Sequence, residues 1–147
     1  GKGETIIDLR RDVAEISYPD VELKDIYNRE HRLSSLDGKV VLLYFWSAVD
    51  SVSNNINAEL KALYERYHAK GFEVYQVSAD ADISTWIEAV RQQKLPWISV
   101  YGATSPDVFS TYNVQGVPTA FLIDRNGDIS VPSLNMDALE ERVKELI

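Results

Sequence analysis

The 147-residue chain reads as an α/β layered domain built on a mixed sheet. Three observations predict this. Val40-Val41-Leu42-Leu43-Tyr44-Phe45-Trp46 is an unbroken apolar and aromatic run, the pattern of a strand buried on both faces. Strand and helix patterns then alternate along the chain, as crossover connections require. Near the end, Asn126-Gly127 sits between two short apolar runs, which signals a hairpin within the same sheet.

In chain order, residues 1–15 scatter Ile6, Ile7, Leu9 and Val13 among charges, a short lead-in segment. Ile16 to Tyr27 alternates apolar with polar, and Asn28-Arg29-Glu30 turns it back into His31-Arg32-Leu33, a β-hairpin. Gly38 fits a turn position with positive φ before the central strand. Ile56, Leu60, Leu63 and Tyr67 then recur at helical spacing, and Gly71 is a natural stop. Phe72 to Ser78 reads as the next strand. Ile83 to Gln93 reads as a helix capped by Asp82 or Ser84. Leu95 to Tyr101 is a short connection with room for a brief strand. Pro106 to Tyr112 looks like a short helix, with Ser105 as its cap and Pro106 at the first helical position. Ala120 to Asp124 and Ile129 to Val131 flank the Asn-Gly turn. Met136 to Ile147 closes the chain as an amphipathic helix, with Asn135 or Asp137 near its start.

Length and composition fit one domain over 1–147, with no repeat or linker. The net charge of −8 argues against binding nucleic acid or anionic lipid, both of which call for clustered Lys and Arg. No stretch approaches the roughly 20 apolar residues of a membrane span. Gly1 in place of Met reads as the start of an excised mature domain, which would leave a signal, anchor or neighbouring domain outside it. The chain has no cysteine, which removes disulfides, thiolate nucleophiles and sulfur-ligated metals.

Three segments together resemble one family. Gly38 to Ser47 looks like the strand leading to the active-site turn of thioredoxin-like proteins. Gly116-Val117-Pro118-Thr119, with the strand and hairpin behind it, resembles that family's cis-proline loop. Val77-Ser78-Ala79-Asp80 and Leu95-Pro96-Trp97 are placed as in longer bacterial members, and the leading hairpin is similar to TlpA- and ResA-type thiol–disulfide interchange proteins, related to AhpC/TSA peroxiredoxins. The likeness runs from about residue 18 to 147. It implies a thioredoxin-like three-layer fold, with a central mixed β-sheet flanked by helices and an N-terminal β-hairpin extension.

The resemblance also implies a Cys-x-x-Cys pair after Phe-Trp, and those positions fall on Asp50 and Ser53. Disulfide exchange needs a thiolate attacking sulfur and a second thiol resolving the product, so neither residue can perform it. Peroxide reduction also begins on a thiolate. Asp50 and Ser53 read instead as caps on a helix N-terminus, where a carboxylate and a hydroxyl meet free N–H groups. No catalytic residue is assigned.

By resemblance, Val117 precedes a cis bond and would pair its backbone with an extended peptide. Trp46, Val49 and Pro118 would add apolar contacts around Asp50, although Trp46 fits packing beneath the turn equally well. Asp80 matches a former proton-relay position, and its plain reading is a polar residue past a strand end. Metal or hydrolytic chemistry at Asp50 and Asp80 has no third ligand to support it. His31 and His68 read as solvated surface residues, and Trp86 and Trp97 as core. Gly38 and Gly71 are isolated, so no phosphate loop is present.

The sequence thus predicts a redox-inactive domain with no cofactor and no metal, binding an extended peptide or neighbouring protein domain in the bacterial periplasm or cell envelope. The rival is a thiol–disulfide oxidoreductase or peroxiredoxin-like role in redox homeostasis through a partner's cysteines.

Overall fold

In the computed structural model, which describes residues 16–147, Val40–Trp46 is strand β3 at the centre of a five-stranded sheet. Strands β1 (Glu22–Lys24) and β2 (Glu30–Arg32) form a separate antiparallel hairpin. Helix α1 (Ser51–Tyr67), β4 (Phe72–Ser78), α2 (Ile83–Gln93) and β5 (Ile98–Tyr101) follow β3. The chain ends with α3 (Asp107–Thr111), β6 (Thr119–Ile123), β7 (Ile129–Ser130) and α4 (Met136–Leu146). The sheet order is β5-β4-β3-β6-β7. β3 runs parallel to β4 and antiparallel to β6, so the sheet is mixed. The lead-in at residues 1–15 lies outside the described residues.

The apolar run is continuous because helices or the hairpin cover both faces of the sheet. Val40, Leu42, Tyr44 and Trp46 point to one side, against Leu60 and Leu63 of α1, Trp86 of α2 and Leu139 of α4. Val41, Leu43 and Phe45 point to the other, against Leu23 of the hairpin, Leu33 in the 3-10 turn just after it, and Val108 and Tyr112 in and just after α3. Burying such a side chain stabilises the fold by about 1.5–3 kcal/mol, so this alternation fixes the register. Gly71 takes φ +103, and a Cβ there would meet the Arg125 guanidinium at 2.7 Å. That guanidinium bonds the carbonyls of Gly38 and Lys70, closing the lower end of the sheet.

Some local expectations are corrected. The hairpin strands are shorter than the alternation from Ile16 to Tyr27, because the Asp25 carboxylate takes the N–H groups of Tyr27 and Arg29 and pulls the chain into a turn. Ser105 does not cap α3 with its side chain; its carbonyl accepts from Val108, and Pro106 holds the cap position. Other expectations hold: the brief strand in the connection after Leu95 forms as the edge strand β5. Asp82 and Asn135 supply the side-chain caps of α2 and α4.

Candidate functional site

Strand β3 ends at Trp46, and the chain turns through Ser47–Asp50 into α1. Asp50 is the N-cap: its Oδ2 accepts the Ser53 backbone N–H at 2.8 Å and the Ser53 hydroxyl at 2.7 Å. The Ser53 oxygen in turn accepts from the Ser47 N–H at 3.4 Å. The two positions that the resemblance assigns to sulfur therefore hold a short O–H···O bond at the positive end of a helix. The Tyr44 hydroxyl donates to the Ser53 carbonyl beneath them. Burial, reinforced by the Asp50 charge, pushes the Tyr44 phenol well above its ordinary range.

Asp80 is more than a polar residue past a strand end. It is 5% exposed and accepts from the Ser47 hydroxyl at 2.7 Å, the Ser78 hydroxyl at 2.6 Å and the Ala48 N–H at 3.0 Å. A buried carboxylate so supplied with donors ties the end of β4 to the turn after β3. Asp50 and Asp80 hold the same turn through different donors. Among the described residues, no three His, Cys, Asp or Glu side chains come together in a way that could hold a metal ion.

Phe45 pairs with Thr119 across β3 and β6, which puts the Val117–Pro118 bond at the same end of the sheet as the turn. That bond is cis. Val117 and Pro118 are half-buried, and Val49 is 79% exposed. Trp46 is corrected: at 0% exposure it packs under the turn and has no surface for a ligand. Val52, which the sequence reading passed over, is 52% exposed on the first turn of α1 beside Val49. His31 is corrected too, since its Nε2 lies 2.8 Å from Asp25 and its ring is half-buried. His68 is exposed.

The turn is also held from behind by a chain of amides. Asn54 donates to the carbonyls of Ala48 and Asp50 at 2.9 and 3.0 Å. Gln93 donates to Asn54, Asn57 to Gln93, and Gln76 to Asn57, at 2.7, 3.0 and 2.7 Å. Gln76 accepts from the Trp97 indole at 2.9 Å and the Ser99 hydroxyl at 3.1 Å. Both ends fix the direction: an indole N–H can only donate and a backbone carbonyl can only accept. The hydrogen bonds therefore all point from β5 toward the turn. Asn57 shares the inward face of α1 with Leu60, three residues on, and that spacing was the signal available in the sequence.

Comparison with known proteins agrees with this geometry. The model of the AhpC/TSA family matches residues 16–131. Thiol-disulfide oxidoreductase ResA of Geobacillus kaustophilus is 31% identical over 118 residues, covering 76% of this chain and 63% of that protein. The chain thus spans less than two thirds of that relative's length. The thioredoxin domain of a thiol-disulfide oxidoreductase from Bacteroides vulgatus superposes with a TM-score of 0.79 at 29% identity, covering 86% of this chain and 92% of that one. An uncharacterized thioredoxin-like protein from the same organism gives 0.74 at 36% identity, covering 88% and 86%. The chain belongs to the AhpC/TSA family, as a thioredoxin-like domain of the TlpA and ResA type that contains no cysteine.

Proposed function

We propose that this domain is a redox-inactive member of its family, serving in the bacterial cell envelope as a module that holds an extended peptide or a neighbouring protein domain. The observation that carries the reading is the 2.7 Å bond between Asp50 and Ser53. A carboxylate and a hydroxyl so joined cap a helix and cannot exchange electrons with a disulfide. The binding surface is Val49 and Val52 on one side and Val117 and Pro118 on the other, with Asp50 between them. Solvent-facing valines beside a loop with backbone groups to offer suit an extended segment. The envelope assignment rests on the likeness to bacterial ResA- and DsbE-type thiol–disulfide proteins.

Two measurements test the reading. Insulin reduction by the purified chain is expected to be zero, while the double variant Asp50→Cys, Ser53→Cys is expected to gain it. Turnover by the natural chain overturns the redox-inactive assignment. Extended peptides from envelope proteins are expected to shift the amide resonances of Val49, Asp50 and Val117. Titrations that leave those resonances unmoved leave the domain a structural role only.

A further inference from the structure

On the side of the sheet away from Pro118, a cleft of about 530 Å³ lies between the hairpin turn, the C-terminal end of α2 and strand β5. Its lining includes Glu73, Tyr64, Trp97, Ser99, Arg91 and Lys94. It shares no residue with the surface proposed above for peptides.

The polar groups of this cleft are unevenly used. Trp97 and Ser99 both spend their hydrogens on Gln76, facing away into the core. Asp25 is saturated: His31 and the Arg29 side chain bond one oxygen, and the N–H groups of Tyr27 and Arg29 bond the other. Glu73 differs. Its side chain is 9% exposed, and Oε1 accepts from the Val74 N–H at 2.9 Å. Its other neighbours are the Tyr64 phenol, a hydrogen-bond donor to this carboxylate, and the His68 Nδ1, which lies 3.8 Å from Oε2, beyond hydrogen-bonding reach. The Tyr64 phenol is pushed well above its ordinary range by burial, then by the Glu73 charge and its hydrogen bond to Glu73, so it stays neutral and keeps its proton to donate. Glu73 is thus the foremost acceptor of the cleft, since a carboxylate has more lone pairs than these two donors use. Of its cations, Arg29 is paired with Asp25, while Arg91 and Lys94 are exposed at the rim and among the described residues neither is paired with an acid.

We propose that this cleft binds a small zwitterion, an amino acid or the free end of a short peptide, with its ammonium group on Glu73 and its carboxylate toward Arg91 and Lys94. An ammonium group supplies the charged donor that this nine-tenths-buried carboxylate does not have within hydrogen-bonding distance, and a charge-assisted bond of this kind is among the stronger ones available. A simple cation would meet the two rim charges with like sign; a zwitterion meets both signs with their opposites. The volume accommodates an apolar side chain of several carbons, which Leu95 and the faces of Trp97 and Tyr64 would cover. This inference is independent of the peptide surface at Val49 and Pro118.

The test follows the Trp97 indole N–H by NMR while L-norleucine, L-norleucinamide, hexanoate and the tripeptide Leu-Gly-Gly are titrated into the protein. Norleucine is expected to give a saturable shift at Trp97, norleucinamide a weaker one and hexanoate none. A tripeptide that binds more tightly than norleucine makes peptide ends the natural ligand; the reverse order makes it the free amino acid. Glu73→Gln is expected to weaken norleucine by about tenfold or more, the value of one charged hydrogen bond. The surface double variant Arg91→Ala, Lys94→Ala is expected to abolish the preference for norleucine over its amide, and it decides the matter should Glu73→Gln fail to fold. A flat norleucine titration, undiminished binding in folded Glu73→Gln, or hexanoate binding as well as norleucine overturns the proposal. Resonances at residues 49–53 and 117–118 report the peptide surface separately, so the two readings fail independently.

Discussion

Strand β4 has a buried carboxylate toward each end, and the fold treats them differently. Just past its C-terminal end, Asp80 is met by two hydroxyls and a backbone N–H. Near its N-terminal end, Glu73 receives one backbone N–H, from its own neighbour Val74, and the Tyr64 phenol beside it. Burial strips water from both, so each needs replacement donors. Asp80 finds them within the protein and thereby locks the turn that leads to Asp50. Glu73 has fewer donors, only one of them from the backbone, and it lines a cleft. A buried charge is a structural fastener where its donors are many and fixed, and a candidate site where they are few and it borders open space. Gln76 lies between the two on the same strand and gathers bonds from β5 and α1, so β4 divides into a fastened half and an open half.

The contrast is sharpest in the effect of removing each side chain. Asp80→Ala, which strands the Ser47 and Ser78 hydroxyls and the Ala48 N–H, is expected to cost about 3–5 kcal/mol in urea unfolding. A loss below about 1 kcal/mol breaks the comparison at this end. Gln76→Leu interrupts the amide chain at its branch point, leaving Asn57, Trp97 and Ser99 short of partners. It is expected to cost about 2–3 kcal/mol and to move the amide resonances of residues 48–50. Asp50→Ala removes a helix cap and is expected to cost about 1 kcal/mol, with Asp50→Asn nearly neutral.

Glu73→Gln is expected to stabilise the protein slightly, by less than about 1 kcal/mol, since it removes an under-bonded buried charge and keeps an acceptor for Val74. A large loss there would put Glu73 in the same class as Asp80. The smallest effect is read through pH. Burial favours a protonated Asp25, but bonds from His31 and the N–H groups of Arg29 and Tyr27, with the Arg29 charge, outweigh it and hold the carboxyl below its ordinary value. A depressed value in the folded state means stability present at neutral pH and lost as pH falls through that value. The melting difference between the natural chain and Asp25→Asn is therefore expected to shrink on acidification.

Much of the architecture was legible in the sequence because it follows from local periodicity. Val40–Trp46, Phe72–Ser78 and Ile83–Gln93 form over the residues that their patterns indicated. Asp50 was readable as a cap, since capping involves only the next few residues. The burial of Trp46 was not readable: packing beneath the turn and facing a ligand have the same sequence signature, and the choice depends on how α1, α2 and α4 close over that face. The amide chain was harder still, because Gln93 and Asn54 lie 39 residues apart and meet only when α2 docks beside α1.

By itself, then, the sequence determined the order of the elements, the family and the absence of cysteine at residues 50 and 53, because these depend on residue identity and short-range pattern. Only the tertiary structure decided which buried polar groups are supplied with partners and which are left wanting. Hydrogen bonds such as those to Asp80 or from Trp97 join residues that no pattern along the chain connects. Their presence depends on distances of a few tenths of an ångström, which the packing of whole elements sets.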